Sequence, residues 1–206
     1  MNRTIICSIP MKQNINQVIY PSKDKYLPTS DRPVSFTINA HLEMILEQED
    51  NVKVILVLKK NGEEHYLSNC DLFKSELNEI NKDIGAKITY VTIESDFSEG
   101  RRTHEGLLSS LIDNIDDNSE IIADITYGPK DVPIVIFTAL EFAENHLDCN
   151  IQNIVYGQAD HFENNKPVGT QICTMTSLFT LNNVANVIND DSPEKSRKIL
   201  KTLLSI

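Results

Sequence analysis

The sequence predicts an α/β fold of the Rossmann-like, doubly wound kind: a mainly parallel six-stranded sheet with helices on both faces. Short apolar runs rich in β-branched residues, such as 52–58 (VKVILVL) and 121–126 (IIADIT), have the composition of strands buried on both sides. Segments of helical period separate these runs, the alternation that pairs strands in parallel through right-handed crossovers. The chain has 206 residues, 40% hydrophobic and 24% charged, which is enough to bury one sizeable core.

Residues 3–8 (RTIICS) predict the first strand, ending in Ser8. Residues 9–32 follow without periodicity, carrying Pro10, Pro21 and Pro28 and the cations Lys12, Lys23, Lys25 and Arg32. So long an irregular stretch inside a compact domain is usually functional or disordered. Residues 34–47 predict a helix with Phe36, Ile38, Leu42, Ile45 and Leu46 inward, and 52–58 the second strand. Asn61-Gly62 reads as a turn, the tip of a small hairpin returning through His65 to Leu67. Ser68 then opens a polar helix that Gly85 stops, with Leu72, Phe73, Leu77, Ile80 and Ile84 buried.

Residues 87–93 form the third strand and 98–115 a helix burying Leu107, Leu108, Leu111, Ile112 and Ile115. Arg101, Arg102 and His104 fall at its start, read as a solvated end. The fourth strand (121–126) leads to a helix over 132–147, and the fifth strand covers 151–156. A polar turn at 161–166, a short sixth strand at 170–174 and helices over 177–188 and 193–204 complete the chain. One domain is expected over 1–190, with 191–206 as a C-terminal helix.

The net charge of −11 argues against a long nucleic acid as partner, since phosphate neutralisation needs a broad basic surface. A small anion in one basic pocket remains compatible with it. No apolar run approaches the roughly 20 residues of a membrane span, and the stretch before Pro10 lacks a signal-peptide cleavage site. Cys7, Cys70, Cys149 and Cys173 form no CxxC pair and read as free thiols in a reducing cytoplasm. His and acidic residues show no metal-ligand spacing, so neither a metal nor another cofactor is expected.

The chemistry concentrates at residues 121–142. After the fourth strand, Tyr127-Gly128-Pro129-Lys130 is a turn, Asp131 can cap a helix, and Pro133 sits in its first turn. A strand, a polar loop and a helix start are what α/β proteins use to hold phosphate. With strand order 3-2-1-4-5-6, the switch point lies between strands one and four, so the loops after Ser8 and after Thr126 meet. Neither GxGxxG nor GxxxxGK[ST] occurs, which argues against an ordinary dinucleotide or NTP site. The helix over 132–142 is apolar nearly all round, from Val132 through Ile136 and Phe137 to Phe142. Such a helix needs a second partner, either the C-terminal helices or a copy of itself across a two-fold, with Ile136 or Phe137 at the contact.

At DITYGPKDVP the chain resembles the CARF domains, the CRISPR-associated Rossmann-fold sensors of type III CRISPR systems. The matching residues are Asp124-Ile125-Thr126-Tyr127-Gly128, then Lys130 and Pro133. Ile154-Val155-Tyr156-Gly157, Lys166-Pro167 and Thr176-Ser177-Leu178-Phe179 also look like the end of such a domain. The resemblance covers about residues 1–190 and is specific over 121–180. It implies a homodimer, through the helix over 132–142, that binds a cyclic oligoadenylate in antiviral defence. Cyclic tetra-adenylate is the expected ring. The ligand-binding candidates are Ser8, Pro10, Met11, Lys12, Gln13, Asn14, Thr126, Tyr127, Gly128, Pro129, Lys130 and Asp131. Gly128, Lys130 and Lys12 would meet phosphates, and Ser8, Gln13, Asn14 and Thr126 the adenines, while Asp124 shapes the strand end.

The alternative is a metal-independent ring nuclease, in which the ligand's own 2′-OH attacks the adjacent phosphate and leaves 2′,3′-cyclic phosphate ends. Ser8, Lys12 and Lys130 would then position the ring and stabilise charge. No His lies in either crevice loop, so a general base is not evident and no catalytic residue is assigned. That favours binding over cleavage. No R-x4–6-H motif follows residue 147, and the 16 residues after Asp190 are too few for an effector nuclease. The readings are a stand-alone sensor, a ring nuclease that degrades its own ligand, or a part of a longer protein.

Overall fold

The computed structural model describes residues 1–98, 100–188 and 192–204. In chain order it contains β1 (Asn2–Ser8), α1 (Thr37–Ile45), β2 (Asn51–Lys60), α2 (His65–Ile84), β3 (Lys87–Asp96), α3 (Arg101–Asn114) and β4 (Glu120–Asp124). Then come α4 (Asp131–His146), β5 (Asn150–Gln158), β6 (His161–Glu163), β7 (Lys166–Val168), β8 (Gln171–Thr174), α5 (Thr176–Val187) and α6 (Pro193–Leu204). The expected boundary at 190–191 falls outside the described residues.

Six strands form one sheet in the order β3-β2-β1-β4-β5-β8. The first five are parallel, and β8 runs antiparallel to β5 at the edge. This is the Rossmann-like sheet that the alternation of elements predicts. β1 lies between β2 and β4, with Cys7 opposite Leu56 on one side and Asp124 on the other.

Strand side chains alternate between two cores, because successive Cβ atoms point to opposite faces. Ile5, Cys7, Val54 and Leu56 pack with α1 and α2, where Phe36 and Phe73 meet edge-to-face at 4.9 Å between ring centroids. Ile6, Ile55 and Val57 pack on the other face with Leu107 and Leu111 of α3 and Val132, Ile136 and Leu140 of α4. Removing a ring from such a core, as in Phe73→Ala, typically costs about 3–5 kcal/mol.

Four local expectations are corrected. The chain after Asn61-Gly62 forms no hairpin: Gly62 (φ 83°) and Glu64 (φ 56°) turn it straight into α2 at His65. Tyr66, Asn69, Cys70, Phe73, Leu77 and Ile80 share one buried helical face, and that burial overrides the two-residue turn signal. Leu72 lies off this face and is exposed. Residues 161–166 are not a plain turn but most of the β6–β7 hairpin, closed by Asn164 and Asn165 at φ 47° and 63°. Two successive positive φ values favour Asn and match the strands' twist.

The fourth correction concerns α4. Ile136 is fully buried in the sheet core, and Phe137 packs edge-to-face on Phe179 of α5, 5.8 Å between centroids. Ile136 is thus not at the surface, while Phe137 is half-buried. The sheet and α3 cover most of the apolar surface of the helix, and Phe179 of α5 adds to that cover at Phe137. Its exposed apolar residues are Ile134 and Phe142.

The stretch 9–33 is irregular but tied down. Val18 and Val34 exchange backbone hydrogen bonds (2.9 and 3.0 Å), and Ile172 N donates to Pro21 O at 3.1 Å on the β8 edge. Asn69 of α2 donates through Nδ2 to Pro10 O (2.7 Å) and Lys12 O (2.9 Å).

Candidate functional site

The carboxyl ends of β1, β4 and β5 carry the site, and glycines let the chain close there. Gly128 has φ +97°, and a Cβ on it would stand 2.5 Å from Ser8 Oγ. At Gly157 a Cβ would stand 2.2 Å from Thr37 Oγ1 at the start of α1. Both approaches bring backbone against a neighbouring hydroxyl side chain, Ser8 in one case and Thr37 in the other, and a side chain at either glycine would block them.

Gly128 is also where the chain changes faces. Tyr127 packs on the α1–α2 side, its hydroxyl donating to Ser35 O at 3.2 Å and its ring 6.4 Å from Phe36. Burial, reinforced by the neighbouring Tyr20 hydroxyl, pushes the Tyr127 phenol well above its usual pKa, so it stays neutral. Lys130 and Asp131 start α4 on the opposite face, beside α3. The two halves of the turn therefore serve two different cavities.

The first cavity, about 300 Å³, is lined by Lys12, Asn16, Tyr20, Thr126, Tyr127, Tyr156, Gln158 and Phe162 among others. Lys12 Nζ stands 5.7 Å from the Tyr127 ring centroid and 5.9 Å from that of Phe162. Thr126 Oγ1 accepts from Gly157 N (2.8 Å), which leaves its own proton for a ligand, while Thr126 N donates to Asp124 Oδ1 (2.7 Å). Asp124 itself is fully buried, and that burial raises its carboxyl to about pKa 6 against the hydrogen bonds from Thr126. It shapes the end of β4 and lines neither cavity.

The second cavity, about 500 Å³, lies between α3 and α4 and is lined by His104, Glu105, Leu108, Lys130, Asp131, Ile134, Val135 and Thr138. At its inner end Asp131 Oδ2 is 3.0 Å from Nζ of the buried Lys59 and 3.3 Å from His104 Nε2. This buried charge cluster anchors the first turn of α4, where a carboxylate also meets the helix dipole favourably. His104 is thus part of that cluster and not of a solvated helix end. Arg101, paired with Glu105 at 2.6 Å, is solvated.

Of the twelve residues singled out from the sequence, Lys12, Thr126 and Tyr127 come together in the first cavity, and Lys130 and Asp131 in the second. Ser8 is buried, its hydroxyl without a hydrogen-bond partner under Gly128. Pro10 is buried and Met11 half-buried, while Gln13 and Asn14 are exposed outside both linings. Gly128 and Pro129 shape the turn between the cavities. Sequence reasoning missed Tyr20, Tyr156, Gln158, Phe162 and Lys59. Tyr156 and Gln158 follow from strand five, whose carboxyl end also opens at the crevice. Phe162 was hidden by reading its hairpin as a turn.

Among the described residues, no cluster of three or more His, Cys, Asp or Glu side chains is placed to hold a metal. No helix of the described residues is long and apolar enough to cross a membrane. No protein-family model matches the chain, and no curated protein matches it either.

Proposed function

We propose that this protein is a nucleotide-ligand sensor of the CARF kind, binding a cyclic oligoadenylate at the carboxyl end of its sheet. The observation that carries the reading is the cation set among aromatic rings at the switch point: Lys12 between Tyr127 and Phe162. A phosphodiester needs a cation, and a base needs a flat apolar face with polar groups at its edge. Tyr156 and Phe162 offer the faces, and Thr126, Asn16 and Gln158 the edge contacts. The residues DITYG, Lys130 and Pro133 supply the family resemblance that narrows the nucleotide to a cyclic oligoadenylate.

A two-fold dimer would repeat these contacts and suits an even-membered ring, four adenylates being the smaller fit for the few cations each chain offers. Ile134 and Phe142 are the exposed apolar residues of α4 available to that interface. Lys12 replaces Lys130 as the leading phosphate contact, because Lys130 opens on the cavity beside α3. The test is calorimetric titration of the intact protein with cyclic tetra- and hexa-adenylate, with the products resolved afterwards. Saturable binding of the tetramer, weakened in 0.5 M salt, is expected; no binding of either ring removes the reading.

A further inference from the structure

We propose that the β6–β7 hairpin is a base-stacking clamp: Phe162 takes one face of a nucleobase while Lys12 leaves the two rings that hold it and binds the attached phosphate. This rests on the nucleotide reading above. In the structure Lys12 bridges a fixed wall and a movable one. Tyr127 is the fixed wall, held by Ser35 O and Phe36. Phe162 is the other, 63% exposed on a two-stranded hairpin that forms a sheet of its own.

Such a hairpin is barely stable alone, so its position depends on what it touches. It pairs through three residue pairs, from His161–Val168 to Glu163–Lys166. Its tip is tied to the crevice loop by Asn16 Nδ2, which donates to Asn165 O at 2.9 Å. Its base is pinched at Asp160 and Gly169, where Gly169 has φ +66° and a Cβ would meet Asp160 Oδ2 at 2.1 Å. A tight base and a lightly tethered tip make a hinged flap over the cavity.

The exchange of partners follows from relative strengths. A charged hydrogen bond to phosphate outweighs a cation–π contact at an exposed site, so a phosphate draws Lys12 away from the rings. The face of Phe162 that the ammonium occupied is then open to a base, and stacking replaces the lost contact. Asn16 and Gln158 lie at the edge of that position, and amide side chains pair with the adenine edge through one donor and one acceptor.

The experiment compares the intact wild-type protein with Phe162→Leu and Phe162→Tyr, titrated with cyclic tetra-adenylate and separately with AMP and ribose 5-phosphate. The clamp requires wild type and Phe162→Tyr to prefer AMP over ribose 5-phosphate by about tenfold, and Phe162→Leu to lose that preference. Hydrogen exchange over 159–169 should slow on nucleotide binding in the first two and not in the third. Phe162→Leu retaining the full preference overturns the clamp. If AMP is preferred but cyclic tetra-adenylate does not bind, the clamp stands and the ring reading falls. If cyclic tetra-adenylate binds wild type and Phe162→Leu equally, the ring reading stands and the clamp falls. Binding of none of these probes removes both.

Discussion

The two ends of the sheet treat their buried polar groups in opposite ways. At the amino end Arg3, nearly buried, donates to Asp50 (2.9 Å), Glu120 (2.8 Å) and Gln152 (3.0 Å), joining β1, β4, β5 and the turn before β2. Beside it Thr4 and Ser119 share a hydrogen bond of 3.0 Å, and Ser119 also donates to Asp116 O at 2.7 Å. At the carboxyl end Ser8 Oγ, Thr37 Oγ1 and Asp131 Oδ1 are buried without hydrogen-bond partners. Asp124 sits there as a carboxylate whose burial works against its charge. One end is satisfied and stabilises the fold; the other carries unmet polar capacity around two cavities. Ligand sites of parallel α/β sheets lie at the carboxyl ends of the strands, and this asymmetry is the energetic form of that rule.

The largest effect is expected from Arg3→Met. It removes the buried partner of Asp50, leaving that carboxylate only the exposed N-terminal ammonium (3.2 Å) and Glu47 N (3.0 Å), and should cost about 3–5 kcal/mol in urea unfolding, while the ligand affinity of the folded fraction stays at wild type. A loss below 1 kcal/mol would erase the contrast between the ends.

Next comes the pH dependence of Asp124. Its folded pKa of about 6 lies above the unfolded 3.8, so folding favours the protonated form. Its contribution is therefore fully present below pH 3.8 and is lost as pH rises through about 6. Asp124→Asn should flatten the stability profile between pH 4 and 7.5, a change on the order of 2 kcal/mol. Parallel profiles for the two proteins would show that this carboxyl is not strained.

A pair of small deletions sharpens the comparison. Ser119→Ala removes a hydroxyl that is bonded on two sides and should destabilise by about 1 kcal/mol. Ser8→Ala removes a buried hydroxyl with no hydrogen-bond partner and should be neutral or stabilising by up to about 1 kcal/mol. Equal costs at both sites, measured by thermal unfolding, would break it.

The alternation of apolar runs and helical segments was legible because strands buried on both faces read as short continuous runs of β-branched residues, set apart from the longer segments of helical period. The adjacency of β1 and β4, and so the meeting of the two crevice loops, followed from it. What stayed hidden was the side of the sheet each loop residue would face. Tyr127 and Lys130 are three residues apart, yet Gly128 sends them to opposite faces, and only its φ of +97° reveals the crossing. Phe162 was illegible for a different reason: a three-residue strand has too short a pattern to show its period. The apolar surplus of α4 was visible, but its cover by Phe179 depends on the packing of α5.

At the carboxyl end, Lys12 is the residue that the proposed function assigns to a ligand and not to the fold. Lys12→Met tests that assignment most directly, because Lys12 is exposed and makes no ion pair among the described contacts. Cyclic tetra-adenylate affinity should fall by about tenfold or more, with the urea midpoint unchanged, as expected for a lost charge-assisted contact of about 1.5–3 kcal/mol. Unchanged affinity, or a loss of stability of that size with affinity intact, would contradict the account.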